Sequence, residues 1–102
     1  MERRLVSYRT KPEMSDKNAE LVSAVYAELR DAKPDGIRYL TLRLEDNTFI
    51  HIVETATDAG SSGLTQLAAF QAFQSGVRER CAELPVVRVA TVVGNYRMLG
   101  GD

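Results

Sequence analysis

Hydrophobic and polar residues alternate along two neighbouring segments near the middle of the chain, 36–44 and 48–56, on either side of the polar stretch Glu45-Asp46-Asn47. Side chains alternate across a strand, so this pattern predicts a β-hairpin. A three-residue loop with Asn47 in the left-handed conformation places Thr41 beside His51 and keeps one face apolar. A two-residue loop would mix the two faces, so we favour the three-residue loop.

The predicted hairpin has two different faces. One is aliphatic and consists of Leu40, Leu42, Leu44, Ile50 and Ile52. The other is mixed and consists of Tyr39, Thr41, Arg43, Phe49, His51 and Val53. We expect helices to cover the aliphatic face. The mixed face is too apolar for water and too polar for an ordinary core, which favours a partner sheet or a ligand cavity against it.

The remaining pattern predicts two more strands and two helical regions. Strands are expected at Arg4–Lys11 and Val86–Met98. A first helix is expected between Ser15 and Pro34, and a second over 65–84, with Cys81 late in it and a break at Gly76 as an alternative. Residues 57–64 form a connection, or alternatively a lid over a pocket.

This order of elements, βαββαβ, is typical of a ferredoxin-like α+β fold. Right-handed crossovers would place both helices on one face of a four-stranded antiparallel sheet. The uncovered mixed face, with Tyr39, Phe49 and Val53, would then need a second copy of the sheet. The sequence therefore predicts a homodimer related by a two-fold axis.

Composition narrows the classes of function. The 102 residues are expected to form one domain, 1–102, and a net charge of −1 gives no reason to expect nucleic acid. No apolar run is long enough for a membrane span, and no signal region precedes the first strand, so a cytoplasmic protein is expected. One histidine, one cysteine and no clustered carboxylates predict no metal site, and we expect no cofactor.

His51 is the leading candidate for chemistry, because a histidine can move protons at cellular pH. It could act as a general base, or it could be a hydrogen-bonded histidine between two packed sheets. Tyr39, on the same face, is the candidate donor to a substrate carbonyl, and Arg43 could bind an anion or be a charge at the rim. The expected substrate-binding residues are Thr41, Arg43, Phe49, Phe70 and Phe73, with Phe70 and Phe73 as pocket walls or as core.

Three segments carry a family resemblance: Val6–Glu13, Phe49–Glu54 and Ala69–Phe73. With these the chain resembles the dimeric α/β-barrel superfamily, and within it the antibiotic biosynthesis monooxygenase-like domains. The resemblance implies two sheets packed face to face with one cavity per subunit. Related activities include cofactor-independent oxygenation and haem degradation. The chain has no tryptophan, which the oxygenases commonly use, and no histidine in 67–84, where haem-degrading members have a ligand.

We therefore expect a small dimeric α/β-barrel protein, with cofactor-independent monooxygenation of an aromatic or quinol-like molecule as its leading function. In that hypothesis His51 is the base and Tyr39 the carbonyl donor. The alternatives are a non-catalytic module that binds a small apolar ligand and a structural dimer without a ligand.

Overall fold

A computed structural model describes residues 2–55 and 63–99. Its strands are β1 (Glu2–Thr10), β2 (Ile37–Arg43), β3 (Thr48–Thr55) and β4 (Cys81–Val89). Its helices are α1 (Ser15–Ala32), α2 (Ala68–Ser75) and the single turn α3 (Val77–Arg80), with a short 3₁₀ turn at Pro12–Met14. The sheet is antiparallel in the order β2-β3-β1-β4, so the expected ferredoxin-like fold is confirmed. Residues 57–62 of the predicted connection or lid lie outside the described residues.

The central hairpin has the predicted register. Thr41 pairs with His51 and Leu42 with Ile50. Asn47 has a φ of 70°, and the Leu44 amide donates to the Thr48 carbonyl over 2.8 Å across a three-residue loop. Asparagine tolerates this left-handed conformation better than most residues, which is why the turn closes here.

The prediction of which hairpin face the helices cover is wrong. The helices lie on the mixed face, where Phe49 is 1% and His51 4% exposed. Leu40, Leu42 and Leu44 remain 46%, 43% and 41% exposed on the aliphatic face. The mixed face can be buried because its polar groups find partners inside the protein and its aromatic rings fill the space beneath the helices.

Two helices supply the other half of this core. Val22 and Val25 of α1 are buried toward the sheet, as are Phe70 and Phe73 of α2. Helix α1 ends where Lys33 adopts a left-handed conformation and its amide donates to the Leu29 carbonyl, one residue before Pro34. The core therefore lies between one face of the sheet and the helices.

The last strand begins earlier than predicted. Cys81 pairs with Thr10 as the first residue of β4, so its placement late in a helix and the strand Val86–Met98 are both wrong. The ladder is irregular between the pairs Arg9–Glu83 and Ser7–Val86, and Pro85 lies in that interruption. β4 is an edge strand, where a proline costs the sheet little. The first strand is also shifted, ending at Thr10 and beginning at Glu2.

Two classes of feature are missing from residues 2–55 and 63–99. None of the helices there combines the length and the hydrophobicity that crossing a bilayer requires. Nor do three potential metal ligands of the histidine, cysteine, aspartate or glutamate type cluster in that part of the chain.

Candidate functional site

A cavity of about 210 Å³ lies between the sheet and the helices. Phe70 and Phe73 from α2 form one wall, and Tyr39 and His51 from the hairpin form part of the opposite wall. The full lining is Val6, Tyr8, Tyr39, His51, Val53, Leu64, Phe70, Phe73, Gln74, Val77, Pro85 and Val87. Within the described part of the chain, none of these lining side chains carries a formal charge at neutral pH when His51 is neutral. The cavity suits an uncharged ligand.

A wider cleft of about 900 Å³ adjoins this cavity. The two share Val53, Leu64, Phe70 and Gln74 as lining residues, while the cleft continues past Arg3 and Thr55 at the end of the sheet. The shared residues place the cleft directly beside the cavity that His51 lines.

Both ring nitrogens of His51 are hydrogen-bonded. Nε2 lies 2.8 Å from the Tyr8 hydroxyl. Nδ1 lies 2.6 Å from the Tyr39 hydroxyl and 3.1 Å from Thr41 Oγ1. Strand pairing sets this arrangement, because β3 lies between β1, which carries Tyr8, and β2, which carries Tyr39 and Thr41.

The hydrogen bonds continue in both directions from His51. On one side the Asn18 amide nitrogen donates to the Tyr8 hydroxyl over 2.8 Å, and Arg80 Nε donates to the Asn18 oxygen over 2.9 Å. On the other side Thr41 Oγ1 lies 2.8 Å from the Tyr26 hydroxyl. One buried network therefore joins β1, β2, β3, α1 and α3.

Burial keeps the titratable groups at the cavity uncharged. Desolvation lowers the pKa of His51 from 6.5 to about 4, so its ring is neutral at cellular pH. Desolvation also raises the pKa of Tyr8 and of Tyr39 far above 10, so both phenols stay protonated. The site offers hydrogen bonds without offering a charge.

Aromatic rings enclose the histidine. The Tyr8 ring stacks on Phe49 at a centroid distance of 5.6 Å and on His51 at 5.3 Å. Phe73 lies 5.4 Å from the His51 ring and 6.2 Å from Phe70. This packing excludes water from the network and strengthens its hydrogen bonds.

The residues selected from sequence fall into two groups. His51, Tyr39, Phe70 and Phe73 line the cavity. The other three, Thr41, Phe49 and Arg43, do not line it: Thr41 bonds to His51, Phe49 lies behind Tyr8, and Arg43 is an exposed partner of Asp16 at 3.0 Å. Because His51 lies under the helices, a position between two packed sheets does not fit it.

The residues selected from sequence leave out four members of the network: Tyr8, Asn18, Tyr26 and Arg80. On sequence grounds Tyr8 and Tyr26 could each offer a hydroxyl to a substrate, but Tyr39 is preferred because it shares a face with His51. Two of the four had a detectable signal. Asn18 continues the buried stripe of Val22 and Val25 one turn toward the N-terminus, and a polar residue on a buried stripe indicates an internal partner. Tyr8 lies on the same face of β1 as Val6 and Thr10. It is paired with Phe49, two pairs along the ladder from His51.

Fold and site together define a ferredoxin-like α+β domain with a small uncharged cavity between sheet and helices. No family profile matches the sequence, and no curated protein is similar enough in sequence to be matched. Solved structures do match. An antibiotic biosynthesis monooxygenase superposes with a TM-score of 0.74 at 16% identity, covering 92% of this chain and 100% of the other.

Two further neighbours have the same fold. A proposed antibiotic biosynthesis monooxygenase from Bacteroides thetaiotaomicron has a TM-score of 0.77 at 13% identity, covering 90% and 89% of the two chains. A protein of unknown function from Nitrosomonas europaea has a TM-score of 0.71 at 16% identity, covering 93% and 91%. The chain thus has the fold of the antibiotic biosynthesis monooxygenase-like proteins.

Proposed function

We propose that the cavity binds one small, uncharged, aromatic or quinol-like molecule. The observation that carries this proposal is the lining: Phe70 and Phe73 offer ring faces, while the Tyr39 hydroxyl, bonded to the neutral ring of His51, offers an uncharged hydrogen-bonding group. A cavity of roughly 150 Å³ holds benzene. A cavity of about 210 Å³ therefore suits a single substituted ring, and a larger ligand would extend into the adjoining cleft.

The proposed reaction is oxygenation without a cofactor, and the names of the solved neighbours support it. His51 would take a proton from a ring CH₂ group conjugated with a carbonyl, while Tyr39 donates a hydrogen bond to that carbonyl. The carbanion adds to molecular oxygen and gives a hydroperoxide after protonation. Loss of water breaks the O–O bond and leaves a new carbonyl, so that CH₂ and O₂ become C=O and H₂O.

Binding without turnover is the second candidate, and the state of His51 favours it. A base whose conjugate acid has a pKa of about 4 removes a proton from a carbon acid poorly. Both of its ring nitrogens are also engaged by Tyr8, Tyr39 and Thr41. In this case the protein would hold its ligand by the aromatic walls and the Tyr39 hydroxyl.

Ligand titrations separate these candidates. The probes are hydroquinone, 1,4-naphthoquinol and anthrone, followed by the His51 ring signals and by oxygen uptake. An oxygenase consumes one O₂ for each anthrone lost, and His51→Gln abolishes this while leaving the fold intact. A binding protein shows shifts without catalysed uptake, and Phe73→Ala weakens its affinity at least tenfold. Exposed Val93→Ala is the control for both. No response to any probe would refute the binding proposal.

We propose further that the protein is a homodimer, with the aliphatic face as the interface. Strand register places Leu40, Ile52 and Leu5 in one row across the sheet, which ends at Arg88 on the edge strand. The next row consists of Leu42, Ile50, Ser7 and Val86. No described helix covers this face. Glu54 is buried at one end of it and pairs with Arg3 and Arg38 of the same chain.

Sedimentation tests the dimer. The wild type should sediment as a dimer and Leu42→Arg as a monomer, because a charge at the centre of an apolar interface is costly to bury. Ala24→Arg places the same charge on an exposed position of α1 and should leave the dimer intact. A monomeric wild type, or a dimeric Leu42→Arg, would contradict the proposal. The cytoplasmic location stays a prediction from sequence.

A further inference from the structure

We propose that Arg80 and Asn18 are positioning residues that set the direction of the hydrogen bonds through His51 and hold its ring as the Nδ1–H tautomer. The direction of these hydrogen bonds follows from the contacts that Arg80 and Asn18 make behind the cavity wall. Its consequence for a ligand rests on the proposed function.

The direction of the hydrogen bonds is set first at Arg80. This residue is buried, and within the described part of the chain it has no carboxylate partner. Its guanidinium donates from Nη2 to the Phe73 carbonyl over 2.6 Å and from Nε to Asn18 over 2.9 Å. A guanidinium can only donate. Asn18 must therefore turn its oxygen toward Arg80, which leaves its NH₂ group facing Tyr8.

Space for this guanidinium depends on the break between α2 and α3. A Cβ atom at Gly76 would lie 3.0 Å from Arg80 Nη1, closer than a side chain normally approaches. The glycine that interrupts the helix thus leaves room for the group that orients Asn18.

Tyr8 is the next residue whose donor and acceptor roles are fixed. Its oxygen accepts from the Asn18 NH₂ group over 2.8 Å, so its own hydrogen needs an acceptor. His51 Nε2, at 2.8 Å, is the one acceptor within reach among residues 2–55 and 63–99. If Nε2 carried a hydrogen instead, the Tyr8 hydroxyl hydrogen would be buried without a partner, which folded proteins avoid. Nε2 is therefore the acceptor.

A neutral imidazole has one N–H group, which must then be at Nδ1. It donates to the Tyr39 oxygen over 2.6 Å, with Thr41 Oγ1 as a second acceptor at 3.1 Å. Because the Tyr39 oxygen accepts from His51, its own hydroxyl hydrogen remains available for Thr41 or for a ligand in the cavity. The cavity then presents a donor and selects a ligand with an acceptor, such as a carbonyl oxygen.

Nitrogen NMR of the ring tests this ordering without any ligand. The chain has one histidine, so long-range ¹H–¹⁵N spectra contain one pair of ring nitrogens. The wild type should show a protonated Nδ1 and an unprotonated Nε2. A protonated Nε2, or protonation of both nitrogens at pH 7, would overturn the proposal even if no variant could be prepared.

Asn18→Asp should reverse the direction of the hydrogen bond between Tyr8 and His51 with almost no change in side-chain shape. Its carboxylate accepts from Arg80 and also from the Tyr8 hydroxyl, which then accepts from His51, so the hydrogen should move to Nε2. Asn47→Asp places the same charge in the hairpin turn and should leave Nδ1 protonated. An unchanged tautomer in Asn18→Asp would refute the role of Asn18.

Arg80→Met is the second variant, because it keeps the unbranched stem of the side chain but removes the donors that orient Asn18. The amide can then adopt both orientations, and the two ring nitrogens should shift toward intermediate values. A folded Arg80→Met protein that still shows Nδ1–H alone would exclude Arg80 as a positioning residue. These outcomes are independent of whether hydroquinone, naphthoquinol or anthrone binds.

Discussion

Mild acid should destabilise this protein through His51. The ring is buried among Tyr8, Tyr39 and Phe73, and its pKa is lowered from 6.5 to about 4 by desolvation. Above pH 6.5 the ring is neutral in both the folded and the unfolded chain, so its contribution to stability is fully present. As the pH falls below 6.5, the unfolded chain takes up a proton that the folded chain does not, and stability is lost.

The size of this loss follows from the separation of the two pKa values. They differ by about 2.5 pH units, and each unit is equivalent to about 1.36 kcal/mol. The full loss, reached below pH 4, is therefore about 3 kcal/mol. Between pH 7 and pH 5 the same linkage relation gives a loss of about 2 kcal/mol. That is a substantial part of the 5–15 kcal/mol roughly typical of a small domain.

Urea unfolding at pH 7, 6 and 5 measures this loss. One chain concentration is kept throughout, because association between chains would itself add stability. His51→Gln keeps hydrogen-bonding groups but does not titrate. Between pH 7 and pH 5, its free energy of unfolding should therefore fall by about 2 kcal/mol less than that of the wild type. Carboxylates contribute equally to the pH dependence of both proteins, so their contribution cancels when the two are compared. Equal pH dependence in the two proteins, or a His51 signal that titrates near 6.5, would refute the reasoning.

Three other predictions concern the fold. Asn47→Val should destabilise by about 1–2 kcal/mol in urea unfolding, because its φ of 70° suits a β-branched residue poorly, while Asn47→Gly should be nearly neutral. Phe49→Ala should lower the free energy of unfolding by about 3–5 kcal/mol, whereas exposed Val93→Ala should lower it by less than about 0.5 kcal/mol. Similar losses in the two variants would be inconsistent with a core around Phe49. Burial raises the pKa of Cys81, so its thiol should react slowly with Ellman's reagent until the chain is unfolded, whereas rapid reaction in the folded protein would contradict its burial.

Local patterns were enough to predict the hairpin. Strand alternation and the preference of Asn47 for a left-handed turn lead to the pairing of Thr41 with His51, which the structure confirms. Both signals lie within a few residues of the contact that they determine. His51 and Tyr39 could be placed on the same face for that reason.

The choice of covered face could not be made locally. Polarity suggested that the face with His51 would stay open, yet this face is buried because Asn18 and Arg80 complete its hydrogen bonds. Those partners are separated from the residues they serve by 10 and 62 positions in sequence. Hydropathy along the hairpin contains no information about these partners. The long sequence separation is also why Arg80 could not be identified as a member of the site.

The dispersal of the network along the chain has a consequence for folding. Tyr8 bonds to His51 across 43 positions, and Arg80 reaches Asn18 across 62. Contacts between such distant parts of a chain form slowly, because long loops must close first. A nascent chain cannot complete the network before Arg80 has been synthesised and has docked. The environment of His51 should therefore be among the last features to mature, and its NMR signal would report that folding is finished.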